Sequence, residues 1–324
     1  MPRMPRITPG RLCALMTLAL LVLAGWSLGT QTGLMAGLQA LFVQPDSDST
    51  ALALHFAWWP RLAVALLAGA ALALAGTLFQ QVLRNPLAAP STLGVTSGAE
   101  LALLAATLLA PGLLGAGREW VALAGGGLAM SLVFLLTWHR GLTPVVVVLA
   151  GLVVNLYFGA LATVLLLFHH EELKGLLIWG AGSLAQNGWS DVIKLLPQLA
   201  AGAVAAWLLL RPLAALELDD AAARGLGLSV RALRAGGLAV GVFLTACVVS
   251  VAGVVAFIGL AAPNIVRLAG ARRLGPRLVW SSLLGALLLA VTDQVLQPLA
   301  ETVGGFIPTG AATALLGAPL LLWL

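Results

Sequence analysis

The sequence predicts an all-α, polytopic membrane protein of about ten transmembrane helices. Three observations carry that expectation. Of 324 residues, 60% are hydrophobic and 9% are charged, against roughly a quarter charged in an average soluble domain, so the chain cannot furnish the polar shell of a soluble globule. Its mean hydropathy is +1.03. The apolar residues also come in long continuous runs instead of period-two alternation, which favours helices over barrel strands. Crossing about 30 Å of hydrocarbon takes about 20 apolar residues, so ten spans use roughly 200, close to what the chain holds.

The basic start MPRMPRITPGR precedes the apolar run Leu12–Leu28. A signal peptide opens similarly, but its apolar core is shorter and ends at a small-residue cleavage site, so the run is read as a retained first span, near 12–30. Further spans are expected near 61–83, 93–110, 118–138, 143–168, 192–211, 231–250, 259–269, 274–298 and 306–323. The eighth is too short for a full crossing, and non-helical backbone beside it is tolerable only where protein buries it.

The loops orient these spans. With the N-terminus inside, 13 of the 17 basic residues are cytoplasmic: Arg3, Arg6, Arg11, Arg84, Arg140, Arg211, Arg224, Arg231, Arg234, Arg267, Arg272, Arg273 and Arg277. Arg61, Arg118, Lys174 and Lys194 remain outside, with Asp46, Asp48, Glu119, Glu171, Glu172, Asp191 and Glu301. This excess follows the positive-inside rule. Dropping the eighth span would move the Arg272–Arg277 cluster outside, so the charges argue for keeping it. The formal charge of +5 is thus read as topology, and no nucleic-acid partner is implied. Cys13 and Cys247 fall near opposite faces, too far apart for a disulfide, and are read as packing residues. Glycine pairs spaced by four, Gly25/Gly29, Gly94/Gly98 and Gly237/Gly241, point to close helix contacts.

Catalytic signatures are missing. No GxxxxGK[ST], HExxH or paired CxxC occurs. His169, His170, Glu171 and Glu172 are adjacent, and neighbouring helical positions point about 100° apart, so the run is read as a solvated loop and not a metal site. No cofactor is implied. Glu100 and Asp293 are the acids in or near spans, where ionisable groups mark function or pair with polar neighbours. So few such groups argue against a gradient-driven secondary transporter, and no nucleophile, base or metal set supports an intramembrane enzyme.

Two loops on the basic side carry physical content. In Arg84-Asn85-Pro86-Leu87-Ala88-Ala89-Pro90-Ser91-Thr92, the prolines push Asn85 and Ala89 out of helical geometry, giving a rigid turn, and Ser91 or Thr92 is expected to cap the next helix. The segment Asp219-Asp220-Ala221-Ala222-Ala223-Arg224-Gly225-Leu226-Gly227 reads as a complete short helix. Asp219 or Asp220 starts it, alanines favour it, Arg224 suits its last turn and Gly225 or Gly227 ends it. Ser229 then caps the following span. Such a helix between two spans is a candidate docking element for a cytoplasmic partner.

These loops, with VAGVVAFIGLAAP at 251–263, resemble the permeases of ATP-binding-cassette importers for iron-siderophores and cobalamin. The resemblance runs from about residue 55 to 324 and includes Arg61 with LAVALLAGAALALAGTLFQQVLRNPLA, TLGVTSGA, and the final GAPLLLWL. The combination FQQVLRNPLAAPSTLGV, LAGLVVNLYFGA, FHHEEL and GARRLGPRL is most similar to the first half of ferric hydroxamate permeases. The resemblance implies a ten-helix permease in the bacterial inner membrane, without enzymatic activity of its own. It implies a second permease unit, the same or homologous, a cytoplasmic ATPase pair and a periplasmic siderophore-binding protein. Residues 1–324 would form one permease domain, one half of a two-unit path. The 219–228 loop matches the coupling helix that enters the ATPase, and Arg61 matches a position that meets acidic groups of the binding protein. Cobalamin, haem or catecholate cargo fits the same importer type. Two departures stand out: ferric hydroxamate permeases carry two halves in one chain, and Asn264 stands where the family often has His.

Overall fold

The computed structural model describes residues 8–31, 39, 41, 49–138, 143–169, 173, 180–217, 220–225, 227–303, 305 and 307–323. The described elements are helices: α1 (Pro9–Gln31), α2 (Ser49–Leu83), α3 (Val95–Leu109), α4 (Arg118–Thr137), α5 (Pro144–Phe168), α6 (Ser190–Leu208), α7 (Leu210–Ala214), α8 (Asp220–Gly225), α9 (Val230–Ala252), α10 (Ile258–Leu268), α11 (Leu274–Val303) and α12 (Thr309–Trp323). Short 3-10 turns at Pro111–Ala116 and Ala215–Glu217 join them. Each of the ten expected spans has its helix. Seven of these, α1, α2, α4, α5, α6, α9 and α11, are long and apolar enough to cross a membrane. With 15, 11 and 15 residues, α3, α10 and α12 are shorter.

The second span begins earlier than its apolar run. The expectation of a start near residue 61 is corrected to Ser49, because the helix continues through a π-turn at Leu54–Trp58. Pro60 explains the turn: its ring crowds the carbonyl four residues back and supplies no N–H, so the ladder widens just before it.

The bundle is built around α2. Its most apolar stretch is 78% buried, against 17% in α1 and 28% in both α5 and α6, so the outer helices carry the apolar outside. Leu18, Leu21, Val145, Leu149, Val153 and Leu156 are exposed, a surface suited to lipid. Trp120, Trp138 and Trp207 are exposed near helix ends, as interfacial tryptophans are.

Around α2 pack α11, α9, α10 and α6. Apolar surface gains little by leaving lipid, so these contacts depend on backbones approaching closely. A Cβ on Gly69 would strike the Gly285 carbonyl of α11, and one on Gly76 would strike the Gly259 carbonyl of α10. Gly98 and Gly125 join α3 to α4 in the same way.

The short α10 is one arm of a broken passage. After α9, Gly253 (φ 68) and Phe257 (φ 74) carry the chain through a non-helical bend into Ile258. Neighbouring segments bond to one another around this bend, as irregular backbone in an apolar surround requires. Ser183 N donates to Ala252 O at 2.9 Å, Gly310 N to Gly182 O at 3.1 Å, and Ala311 N to Ala181 O at 3.1 Å. Gly182 and Gly310 stand where a Cβ would meet backbone of the opposing segments.

Candidate functional site

Polar groups concentrate at the two ends of the antiparallel α2–α11 pair. At one end, Arg61 of α2 meets Asp293 of α11. Arg61 Nε donates to Oδ2 at 2.7 Å and Nη2 donates to Oδ1 at 2.8 Å. Thr309 Oγ1 of α12 donates to Oδ1 at 2.8 Å, and Gln297 Nε2 donates to Oδ2 at 3.2 Å. Asp293 is fully buried, and the Arg61 side chain is 21% exposed. A buried carboxylate is costly unless paired and hydrogen-bonded, and here both oxygens are served twice. The pair therefore locks three helices together. The sequence marks Arg61 and Asp293 separately; their partnership spans 232 residues and no local pattern announces it. Glu100 lies apart from this cluster in hydrogen bonding: it is partly buried on α3, its Oε1 beside Gly180.

At the other end, α2 stops at Arg84, which takes a left-handed conformation (φ 46). Asn85 Oδ1 accepts from Leu87 N at 2.9 Å, and Asn85 O accepts from Ala88 N at 3.1 Å, so Asn85 and Pro86 form a compact turn. The capping role expected of Ser91 or Thr92 is corrected. The N-cap of α3 is Gly94 (φ 78), without a side-chain bond. Thr92 Oγ1 instead accepts from Ala89 N and donates to Ala89 O, both at 2.9 Å, which closes the Pro90 turn. The turn is then pinned to the core: buried Asn264 donates Nδ2 to Pro86 O at 2.7 Å and to Leu260 O at 2.9 Å, while its Oδ1 accepts from Arg267 Nη2 at 3.0 Å.

The loop between α7 and α9 folds as a helix with a defined stop. In α8, Arg224 occupies the last turn. Gly227 (φ 78) follows, its N–H bonded to Arg224 O at 2.9 Å, and Leu228 N bonds to Ala223 O at 3.2 Å. This nested pair is a Schellman stop, with glycine at the left-handed position. Ala223 is fully buried and anchors the helix. Ser229 Oγ accepts from Ala232 N at 3.4 Å and caps α9. Asp220 and Ala221 lie in α8, Gly225 ends it, and a Cβ on Gly225 would meet nothing within 4 Å. Asp219 and Leu226 lie outside the described residues, as do His170, Glu171 and Glu172 of the sequence run beside His169.

The turn after α2 and the 3-10 turn before α8 share a cavity of about 220 Å³ between α2, α10 and α11, lined among others by Gln80, Gln81, Arg84, Pro86, Glu217, Arg267 and Arg277. Arg84 Nε donates to Leu216 O at 2.9 Å, and Gln81 Nε2 to Leu213 O at 3.1 Å. These bonds tie the strap before α8 to the end of α2.

Comparison with known proteins supplies the context. Residues 15–324 match the FecCD transport family. The chain is 44% identical over 98% of its length to the iron(3+)-hydroxamate import system permease protein FhuB of Salmonella typhimurium, covering 47% of that protein. It is 46% identical over 86% of its length to FhuB of Escherichia coli, covering 42%. It therefore spans less than half the length of these two relatives. With the Fe(3+) dicitrate transport system permease protein FecC of Escherichia coli it shares 37% identity, over 82% of this chain and 80% of that one. Its fold matches the inward-facing conformation of a transporter described as of metal-chelate ABC type, with TM-score 0.78 and 28% identity, over 96% of this chain and 97% of that one.

Proposed function

The chain belongs to the FecCD transport family, and on that premise we propose that it is a permease unit of an ATP-binding-cassette importer carrying a ferric siderophore of hydroxamate type from periplasm to cytoplasm. The observation that carries this reading is the match along nearly the whole chain to hydroxamate import permeases. The cargo is the relatives' cargo by inference. The partners follow from the importer's logic: a second permease unit to complete the path, a pair of cytoplasmic ATPases and a periplasmic binding protein. ATP hydrolysis belongs to the ATPases, because the chain has no phosphate-binding loop of its own.

We assign the basic end to the cytoplasm by the positive-inside rule, with the N-terminus inside; the inner membrane follows from the importer reading. On this assignment α8 is the coupling helix, with Asp219, Asp220, Ala221, Arg224, Gly225, Leu226 and Gly227 as the contact segment. The turn Arg84-Asn85-Pro86, bonded to the 3-10 turn that precedes α8, serves as a rigid support. Arg61 lies at the periplasmic end, where its remaining exposed edge is available to acidic groups of the binding protein. Work enters as differential affinity of the ATP-bound partner for the inward-open and outward-open arrangements.

The test is ATP-dependent uptake of radio-iron ferrichrome into proteoliposomes holding the assembled permease, the ATPase and the binding protein. Uptake that requires both ATP and binding protein is expected. Uptake of another ferric chelate or of cobalamin in its place corrects the cargo and keeps the mechanism. Uptake that persists without ATPase overturns the importer reading.

A further inference from the structure

A strained turn closes the break between α9 and α10. At Phe257 the backbone takes φ 74 and ψ −36, and Ile258 N donates to Ala256 O at 2.9 Å. A three-residue turn closed in this way around a residue of positive φ is the rare, strained form of the γ-turn. Among the described residues, Arg84 and Phe257 are the non-glycine residues with positive φ, and for a bulky side chain that conformation is a true outlier. Such strain persists only where the surroundings over-determine it, and it clusters at switch regions. Here the Phe257 ring lies directly on the backbone of buried Gly317 in α12, in the space that a Cβ would take.

The strained residue stands midway along a chain of contacts. Thr309, the first residue of α12, donates to Asp293 of the Arg61 pair at 2.8 Å. About two turns further on, Gly317 receives the Phe257 ring. Phe257 is the N-cap of α10, and on α10 Asn264 donates to Pro86 O at the basic end, at 2.7 Å. The contacts therefore run from one end of the α2–α11 pair to the other, through one residue held out of its relaxed conformation.

We propose that Phe257 and Gly317 form a two-state latch that sets the position of α10. In the seated state, that of this structure, the ring fills the notch at Gly317 and the turn carries the strain. In the released state the ring leaves the notch and φ of Phe257 returns to negative values. α10 then pivots on α2 where Gly76 and Gly259 meet backbone to backbone, with no side chain between them to resist rotation. Seat and strain oppose each other, so a small displacement of α12 or of the Pro86 turn moves the joint, as bistable packing allows. On the importer reading, the latch passes a change between the two docking ends. The test reads the permease alone, so either reading can fail without the other.

The experiment is hydrogen–deuterium exchange, read by mass spectrometry, on the purified permease in nanodiscs, following α10 and the 85–92 turn. Phe257→Ala and Phe257→Gly both delete the ring, but only glycine takes positive φ without strain. Exchange in both segments should therefore be faster in Phe257→Ala than in Phe257→Gly by about tenfold, the scale of one left-handed non-glycine residue. A ring that served packing alone predicts the reverse order, because glycine also loosens the chain. Gly317→Ala puts a methyl group in the notch. It should speed exchange in the same two segments of the otherwise wild-type chain and add nothing in the Phe257→Gly background. Equal exchange in Phe257→Ala and Phe257→Gly, or faster exchange in the glycine variant, overturns the proposal. So does loosening of α10 with the 85–92 turn unchanged, because the latch then does not reach the basic end. If Gly317→Ala does not fold, the pair of variants at 257 decides alone.

Discussion

Arg61 and Asp293 form a two-point ion pair across α2 and α11, with Thr309 of α12 donating to the same carboxylate. Removing one partner of a buried pair costs about 3–5 kcal/mol, because the other charge is stranded; partial exposure of Arg61 favours the lower end. Asp293→Leu should therefore lower the melting temperature sharply. Arg61→Leu with Asp293→Leu should recover most of the loss, since hydrophobic replacement of a whole buried pair is often close to neutral. Thermal unfolding of the two single variants and the double variant in detergent decides it. Strict additivity would show that the residues do not act as a pair.

The second prediction concerns close approach. A side chain at Gly76 would enter the backbone of Gly259, whereas one at Gly127 or Gly159 would meet nothing within 4 Å. Gly76→Val should abolish recovery of folded protein, because α2 and α10 can then no longer touch. Gly159→Val, inside α5, should be recovered at close to wild-type yield. Size-exclusion profiles of the solubilised variants read this directly. Equal yields would mean that the α2–α10 contact is not set by backbone proximity.

The order of the spans was legible because lipid enforces it: apolar runs must be helices, and arginines must sort to one side. The start of α2 was not, because Ser49–Trp58 mixes polar and aromatic residues ahead of Pro60 and so reads as a loop. The stop of α8 was legible from Ala-Ala-Ala-Arg-Gly, since capping is a local affair. Thr92 misled because its hydroxyl had two local uses, and the Ala89 backbone won over the α3 terminus. The Arg61–Asp293 pair and the convergence of Arg84, Arg267 and Arg277 on one cavity depend on long-range packing, which no window of one sequence encodes.

Gly225 and Gly227 separate folding from docking. Gly227 holds the left-handed stop of α8 at φ 78, so Gly227→Ala should cost about 1 kcal/mol. Gly225 faces open space, so Gly225→Trp should leave the melting temperature unchanged. If α8 is the coupling helix, the Trp variant should still bind ferrichrome-loaded binding protein yet lose most ATP-driven uptake. Paired measurements of ATPase rate and uptake settle it: normal uptake by Gly225→Trp would remove α8 from the ATPase interface.

Asn264 is the remaining link between the broken passage and the basic end. One side chain holds Pro86 O, Leu260 O and Arg267 Nη2 together, so it couples α10 to the turn after α2. Asn264→Leu fills similar space but leaves the Pro86 carbonyl without its donor, and an unsatisfied buried group costs about 1–3 kcal/mol. The 85–92 segment should loosen first, since the other bonds within it are local. Limited proteolysis should then open the 85–92 segment in the variant before global unfolding, while the wild type resists. Asn264→His can restore a donor to Pro86 O, but a neutral imidazole offers only one N–H and one acceptor, so it should protect the turn partially. If Asn264→Leu is as resistant as wild type, the turn is held by its own hydrogen bonds, and α10 moves independently of it.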